Sequence, residues 1–188
     1  MKSLAKDFFQ SYELGSARER AEIIYENYCS FEAIIDDFKA GLIYDIQSEE
    51  EFSRSHYRDE LGVRIQKLGH YDNPTAEEAV NNWMLEQDID GNGEIHISGK
   101  VAADAQEKLR RKHHVLIVMR EEYAYFAKHI NALKPKEKQI ILPLLNDSKD
   151  HFQLAQEFGV NVETIRKRAS RIHKEVIEYM GTNFRERI

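Results

Sequence analysis

The sequence contains an acidic stretch whose residue types and spacing are those of a calcium-binding loop. It covers residues 88–99 and reads Asp-Ile-Asp-Gly-Asn-Gly-Glu-Ile-His-Ile-Ser-Gly. Oxygen atoms suited to a hard cation such as Ca²⁺ belong to Asp88, Asp90, Asn92 and the Glu94 carbonyl. An EF-hand loop also needs a bidentate glutamate at its twelfth position, which here is Gly99. We therefore expect no calcium site in this stretch, and no cofactor elsewhere.

The same stretch predicts a tight turn instead of a metal site. Asp90-Gly91 and Asn92-Gly93 are dipeptides that favour the turns of β-hairpins. After them, residues 94–97 alternate between polar and apolar types, as a strand does. Residues 62–66 alternate in the same way, so the sequence allows one short β-ribbon.

A second stretch, near the C-terminal end, carries the charge needed to bind a nucleic acid. Between Thr164 and Lys174 the sequence has five basic residues and no acidic residue. A basic run by itself is usually a solvated helix surface. On the second helix of a helix-turn-helix, however, such a run is typical of a DNA-reading surface.

Residues 152–172 have the pattern of a helix-turn-helix. Gly159 can adopt the positive φ that ends a helix sharply, and Asn161 can cap the helix that follows. Apolar residues at helical spacing would bury one side of each helix, and they are Leu154, Ala155, Phe158, Val160, Ile165 and Ile172.

We predict that this motif binds duplex DNA through the major groove. The residues expected at the DNA are Asn161, Glu163, Thr164, Arg166, Lys167, Arg168, Ser170, Arg171 and Lys174. Arg166 and Lys167 are expected nearest the base edges, with Arg171 and Lys174 nearer the phosphates. One such module has a small footprint, so we expect modest affinity unless two modules or a protein partner act together.

The remaining reactive side chains do not combine into an active site. Cys29 has no histidine pattern beside it, so we interpret it as an ordinary packing or surface residue. The basic stretch 110–114 ends in His113 and His114 and could be a second DNA contact or a metal pair. Adjacent histidines on a helix point about 100° apart, which favours a solvated helix face. The sequence has no phosphate-binding glycine loop, nucleophile elbow or metalloprotease motif, and we expect no enzyme.

Two long apolar seams predict the helices that position these residues. The first follows a capping box at Ser16–Glu19 and predicts one helix over 17–43, and the second predicts a helix over 101–133. They are expected to pack on each other as an antiparallel hairpin, or on the same seams of a second subunit in a homodimer. Another capping box at Thr75–Glu78 opens a helix towards Gln87. The predicted fold is all-α, with a long helical hairpin and a C-terminal helix-turn-helix.

The charge of the chain is divided unevenly between its two halves. The first 99 residues carry 9 Lys and Arg against 21 Asp and Glu, and the remainder carries 18 against 12. The halves thus have net charges of −12 and +6, which add to the −6 of the whole chain. We predict an acidic helical region at 1–99, a connecting helix at 100–133 and a DNA-binding domain at 134–188.

Cysteine content and hydropathy favour a cytoplasmic protein without a membrane partner. The single cysteine of the 188 residues cannot form an internal disulfide, which suits a reducing compartment. No apolar run approaches the roughly 20 residues that span a bilayer. Lys6 and Asp7 interrupt the apolar core that a secretory signal would need.

Two parts of the sequence resemble regions of bacterial regulators. Leu133-Lys-Pro-Lys-Glu-Lys-Gln-Ile-Ile141, Leu154-Ala-Gln-Glu-Phe-Gly-Val160 and Glu163-Thr-Ile-Arg-Lys-Arg-Ala-Ser-Arg171 resemble the sigma-factor region that binds the −35 promoter element, and LuxR-type output domains share much of this pattern. Residues 60–80 resemble a segment of sigma-like regulators of Gram-positive phages and mobile elements, which are related to late-gene activators of the autolysin-regulator type.

The resemblance implies promoter binding and control of transcription, with bacterial RNA polymerase as a partner. Unlike sigma factors, this chain has no aromatic-rich region for melting the −10 element in residues 1–100. Two alternatives stay open. A small-terminase-like DNA-packaging adaptor would combine a helix-turn-helix with a helical hairpin in a ring of many subunits. A polymerase-interacting module would act without binding DNA.

Overall fold

The described structure is built entirely from helices. A computed structural model describes residues 2–61, 74–91 and 94–186, with side chains described within 8–55, 79–91 and 94–186. The α-helices in these ranges are α1 (Lys2–Leu14), α2 (Ala17–Glu26), α3 (Phe31–Leu61), α4 (Pro74–Asp90), α5 (Ala103–Ala132), α6 (Pro135–Leu145), α7 (His151–Phe158) and α8 (Val162–Asn183). A single 3₁₀ turn, Tyr28–Ser30, joins α2 to α3. The described ranges contain no strand, so the predicted all-α fold is confirmed.

The strand predicted at 94–97 is wrong. These residues are irregular backbone with no strand partner among the described residues. The His96 N–H donates to the Asp88 carboxylate at 3.2 Å, and the nearby Ser98 N–H donates to the Glu50 carboxylate at 3.0 Å. The strand predicted at 62–66 lies outside the described residues.

The chain packs into two compact units. The terminal unit comprises Met1–Ile35 and Val118–Ile188, and the middle unit comprises Asp36–Ile117. Their boundaries fall inside α3 and α5. The three domains predicted from the sequence have their boundaries at residues 99 and 133 instead. Those boundaries rest on charge and on the helix-turn-helix motif, and they stay a prediction. Within the described ranges, no helix combines the length and the apolar character needed to cross a membrane.

The helix predicted over 17–43 is interrupted, so its continuity was predicted wrongly. The capping box is present, because Ser16 Oγ accepts from the Glu19 N–H at 3.3 Å and the Glu19 carboxylate accepts from the Ser16 N–H at 2.7 Å. After α2, the Asn27 side chain donates to the Ile23 carbonyl at 2.8 Å. Asparagine competes in this way with the helical backbone. Seam residues remain buried on both sides of the break, namely Ala17, Ala21, Ile24, Tyr28, Phe31 and Ile35.

A buried ion pair joins α2 to α5 in the terminal unit. Arg20 is fully buried, and its guanidinium donates to the Glu122 carboxylate through Nε at 2.9 Å and through Nη2 at 2.7 Å. It also donates to the Gly15 carbonyl at 2.8 Å and to the Arg185 carbonyl at 2.5 Å. The Tyr12 hydroxyl donates to Glu122 at 2.6 Å, and burial together with this carboxylate raises the pKa of Tyr12. The charges are tolerated inside the unit because they are paired and hydrogen-bonded.

Helix α8 is the common packing partner of three other helices in the terminal unit. Helices α2, α6 and α7 all pack against it. His173 of α8 lies 2.7 Å from the Glu22 carboxylate, and its ring centroid is 4.3 Å from that of Tyr25. Further along, a Cβ atom at Gly181 would lie 3.3 Å from the Arg18 side chain, so glycine permits a close approach of α2. The N-terminal helices therefore belong to the same unit as the helix-turn-helix.

In the middle unit, α3 runs antiparallel to α5 and its leading segment. Lys112 Nζ lies 2.6 Å from the Asp45 carboxylate, and Glu50 bonds the backbone N–H of Ser98. Along α3 the residue number rises from 45 to 50, while the number of the contacted residue falls from 112 to 98, so the two segments run antiparallel. A long antiparallel hairpin is present in this unit, but at these contacts its first arm is α3 beyond residue 43 rather than the helix predicted over 17–43. Its second arm, Ala103–Ala132, matches the helix predicted over 101–133. A homodimer through these seams stays a prediction.

Helix α4 packs antiparallel to α3 and is longer than predicted. It continues past Gln87 to Asp90, whose carboxylate lies 2.6 Å from Lys39 Nζ. This ion pair lies at one end of the contact between α3 and α4, and a hydrogen bond from Gln47 to Asn82 at 2.9 Å lies at the other. The order of these two pairs shows that the helices run antiparallel.

Candidate nucleic-acid interface

The turn between α7 and α8 has the geometry that the sequence predicts. Helix α7 begins at a capping box in which the Asp150 carboxylate accepts from the Gln153 N–H at 2.7 Å and the Gln153 side chain accepts from the Asp150 N–H at 2.9 Å. It ends at Gly159, which has φ 62° and ψ 34°. The Val160 N–H donates to the Ala155 carbonyl at 3.0 Å, so the left-handed glycine turns the chain and satisfies a helix-terminal carbonyl.

Asn161 caps the second helix of the motif, as predicted. Its side-chain oxygen accepts from the Glu163 N–H at 3.0 Å, and its backbone is extended. One of the free N–H groups at the start of α8 is therefore satisfied. The cap fixes where the helix begins and hence which residues form its first exposed turn.

The buried and exposed residues of α8 form opposite faces. The buried face, which packs on α6, α7 and α2, consists of Ile165, Ala169, Ile172, Val176, Ile177 and Met180. With about 3.6 residues per turn, the centre of the opposite face is occupied by Lys167, Arg171 and Lys174, and all three are exposed. Exposed Glu163 and Ser170 lie beside them.

The basic residues of the exposed face are weakly paired. Arg166 lies 4.0 Å from the Glu163 carboxylate, and Arg171 lies 3.6 Å from that of Glu175. Ion pairs as exposed and long as these contribute little to stability, so both guanidinium groups can exchange them for other anions. Lys167 and Lys174 form no ion pair with any carboxylate among the described residues.

A groove of about 630 Å³ borders one flank of α8. Its lining includes Tyr25 and Glu26 of α2, Lys149 before α7, and Arg166 and His173 of α8. Burial, with a smaller effect of the Glu22 carboxylate, raises the pKa of Tyr25 to about 12. Because acidic groups, including Glu26, share this flank with Arg166, it is less favourable to phosphate than the face centred on Lys167.

The nine predicted DNA-contacting residues lie together on α8 and its cap, but they do not share one direction. The ones at or beside the centre of the exposed face are Lys167, Ser170, Arg171, Lys174, Glu163 and the cap residue Asn161. Arg166 borders the groove. Arg168 is exposed on the other flank, and Thr164 is half-buried.

Sequence reasoning missed the α2 residues beside α8. Glu22, Tyr25 and Glu26 are more than a hundred positions away from α8 in the chain, and no local pattern links them to it. Lys149 and His151 flank the Asp150 cap and also line the groove. The sequence did contain a signal for Lys149 and His151, because each lies directly beside the helix-capping residue Asp150.

The acidic stretch 88–99 is not arranged as a calcium loop in its described part. Asp88 and Asp90 belong to α4, where Asp90 is paired with Lys39 and Asp88 accepts from the His96 backbone. Asn92, the third predicted ligand, lies outside the described residues. Within the part of the chain that the structure describes, no group of three His, Cys, Asp or Glu residues is placed to hold a metal.

The other two reactive sites have ordinary surroundings. His114 is exposed as predicted, whereas His113 is buried, so the solvated face predicted for 110–114 is wrong at that position. The helix turns adjacent residues in different directions, and His113 faces the core.

Cys29 is exposed, with its thiol 3.4 Å from the Asp147 carboxylate. This hydrogen bond, with smaller contributions from desolvation and charge, raises the pKa of the Cys29 thiol.

No family model, curated protein or solved structure matches this chain.

Proposed function

We propose that this protein is a sequence-specific, DNA-binding transcription regulator of the sigma-like type found in phages and mobile elements. The observation that carries the proposal is the exposed face of α8, where Lys167, Arg171 and Lys174 lie opposite a fully packed face. The helix follows a left-handed glycine turn and an asparagine cap, as a reading helix does in a helix-turn-helix.

In this proposal the first turns of α8 enter the major groove. Lys167 and Ser170 face base edges there, and Arg171 and Lys174 contact phosphates. Arg166 sits at the edge of the contact, because one of its sides borders the groove that contains Glu26. The acidic groups of that flank would repel phosphate, so we expect the DNA backbone to pass on the side of Lys167, Arg171 and Lys174.

The proposal is tested by selecting bound sites from random duplex DNA and measuring affinity by fluorescence anisotropy from about 50 to 200 mM salt. Replacing Lys167, Arg171 and Lys174 together by alanine should lower the affinity and reduce the salt dependence by about 0.9 for each phosphate that the protein no longer neutralises. A matched control replaces Lys100, Lys108 and Lys128, which are exposed, lie outside both the helix-turn-helix and the stretch 110–114, and remove the same charge. The control should bind DNA as the wild type does.

Equal loss of affinity in both triple variants would mean that only net charge matters, which would refute a specific reading face. Wild-type binding by the α8 variant would refute the assignment of the reading helix. A selection that yields no preferred site, with no salt-dependent binding, would instead favour a polymerase-interacting module. Light scattering that reveals a ring of many subunits would favour a DNA-packaging adaptor.

The regulatory part of the proposal needs a separate measurement. The selected site is placed upstream of a reporter, and transcription by bacterial RNA polymerase is compared with and without the protein. Transcription that changes with the wild type and not with the α8 variant would support regulation through DNA binding. Transcription that is unaffected by the wild type, despite tight site-specific binding, would contradict it.

A further inference from the structure

The described side chains of the middle unit include a large apolar surface that is exposed rather than packed. It comprises four large side chains on the outer side of α3 and α4: Tyr44 is 70% exposed, Val80 51%, Trp83 60% and Met84 52%. We call this set the α3–α4 patch. Single exposed apolar residues are ordinary, whereas several on adjoining helices mark an interaction surface.

The geometry of α4 explains why these residues form a continuous stripe. Val80, Trp83 and Met84 are spaced i, i+3 and i+4, so they lie on one face of the helix. Leu85 and Ile89 are buried on another face, and they supply the packing that holds α4 in the unit. The patch residues are therefore not required to fix α4 in place.

Tyr44 belongs to the same region because α3 and α4 are held side by side. The hydrogen bond between Gln47 and Asn82 and the ion pair between Lys39 and Asp90 bracket this part of α3. Tyr44 lies between the two α3 contact positions, and Trp83 lies between the two on α4. An apolar partner resting along these helices would cover aromatic surface from both.

The charge around the patch restricts what can cover it. Helix α4 has five acidic residues and no basic residue, and residues 36–55 of α3 have six acidic residues against two basic ones. Both of those basic residues are already paired, Lys39 with Asp90 at 2.6 Å and Arg54 with Glu50 at 3.5 Å. The two helices that carry the apolar patch are therefore strongly acidic in sequence. Like charges disfavour pairing with the same patch of a second copy, with DNA or with an anionic membrane.

We propose that the α3–α4 patch docks a basic amphipathic helix of another protein, with the apolar side of that helix on the patch and its lysines or arginines towards the acidic surroundings. The patch is distinct from the exposed face of α8, so this inference does not depend on DNA binding. It gives the acidic part of the chain a partner-binding role.

The test uses the only tryptophan of the chain, Trp83, as a reporter on the patch. A synthetic helical peptide of leucine and lysine, about five turns long, is added to the full chain. We expect a blue shift of Trp83 emission, since the indole moves from water into an apolar contact. A leucine and glutamate peptide with the same pattern should cause no shift, and neither should a leucine and lysine peptide with scrambled order.

The variant Val80→Ser with Met84→Ser keeps the reporter and removes apolar area on both sides of it. We expect the affinity for the leucine and lysine peptide to fall about tenfold or more. Leu14→Ser is the control, because Leu14 is also an exposed apolar residue, at 71%, but belongs to the terminal unit. Circular dichroism checks that each variant remains folded, as substitutions at exposed positions should allow.

The following outcomes would each contradict the proposal. No shift with the leucine and lysine peptide, or equal binding by the double-serine variant, would show that the patch is not the docking site. A dimer that the double-serine variant dissociates, seen by sedimentation, would assign the patch to self-association. A blue shift on phosphatidylglycerol vesicles that exceeds the shift with the peptide would assign it to a lipid surface.

Discussion

Removing the Arg20 side chain should be the most damaging single change in the terminal unit. The guanidinium is fully buried and bonds the Glu122 carboxylate through two nitrogen atoms, together with the carbonyls of Gly15 and Arg185. Arg20→Ala would leave a buried carboxylate whose remaining hydrogen-bond donor is Tyr12. Breaking a buried pair by deleting one partner typically costs about 3–5 kcal/mol, and we expect a loss of that size.

Hydrogen exchange measured by mass spectrometry can locate this loss. A cost of about 3–5 kcal/mol should reduce protection in α2, in α8 and in α5 from Val118 onwards by roughly two to nearly four powers of ten. Peptides from α4, in the middle unit, should change much less. This assay resolves the two units separately, whereas a single melting curve would average over them.

Two further variants separate the charge pair from general packing. Arg20→Lys retains the charge but loses the bidentate geometry, and should recover only part of the protection. Arg20→Met combined with Glu122→Met removes both charges and should be more stable than Arg20→Ala alone, because no buried ion is left without a partner. The reasoning is refuted if Arg20→Ala loses less than about 1 kcal/mol, or if the double variant is no better than the single one.

Three smaller predictions concern other features of the terminal unit. Gly159 has φ 62° and open space where a Cβ atom would lie, so Gly159→Ala should cost about 1 kcal/mol through backbone strain alone, with Gly159→Asn milder, as measured by urea unfolding. Burial lowers the pKa of His129, so the unfolded chain binds a proton at this imidazole more readily than the folded chain does. Stability should therefore fall as pH drops below about 6.5. His129→Gln should reduce the difference in melting temperature between about pH 5 and pH 7.5. The Cys29 thiol should react slowly with iodoacetamide at about pH 8 despite its exposure, because its hydrogen bond to Asp147 favours the protonated form. Asp147→Asn should speed the reaction, and asparagine tolerates the positive φ at that position. An unchanged rate would contradict this cause.

Features set by neighbouring residues were predictable from the sequence. The capping box at Ser16, the left-handed turn at Gly159 and the cap at Asn161 depend on a few adjacent positions, and the structure contains all three. The long helix α5 was predictable for the same reason, since its seam repeats along one segment.

Features set by contacts between distant segments were not predictable. Nothing near Arg20 in the sequence identifies Glu122 as its partner, and nothing near His173 identifies Glu22. The break after α2 was missed because apolar spacing continues through it, while a single hydrogen bond from Asn27 favours the interruption. The strand at 94–97 was overpredicted because alternation does not reveal whether a partner strand exists.

The DNA-binding status of α8 stays a prediction, for a physical reason. A basic helix face on the surface has the same side chains whether it contacts phosphate or only water. The fold positions Lys167, Arg171 and Lys174 together on one exposed face.

The Arg20 pair also determines when the terminal unit can form during protein synthesis. Its two partners are separated by 102 positions in the chain. At typical rates of about 5–20 residues per second, the ribosome needs roughly 5–20 s after Arg20 to add Glu122, and longer to complete α8. Helices α1 and α2 thus leave the ribosome long before their packing surface exists. During that interval the apolar side of α2 lacks its α8 packing partner, and the unit closes only after α8 has been synthesised.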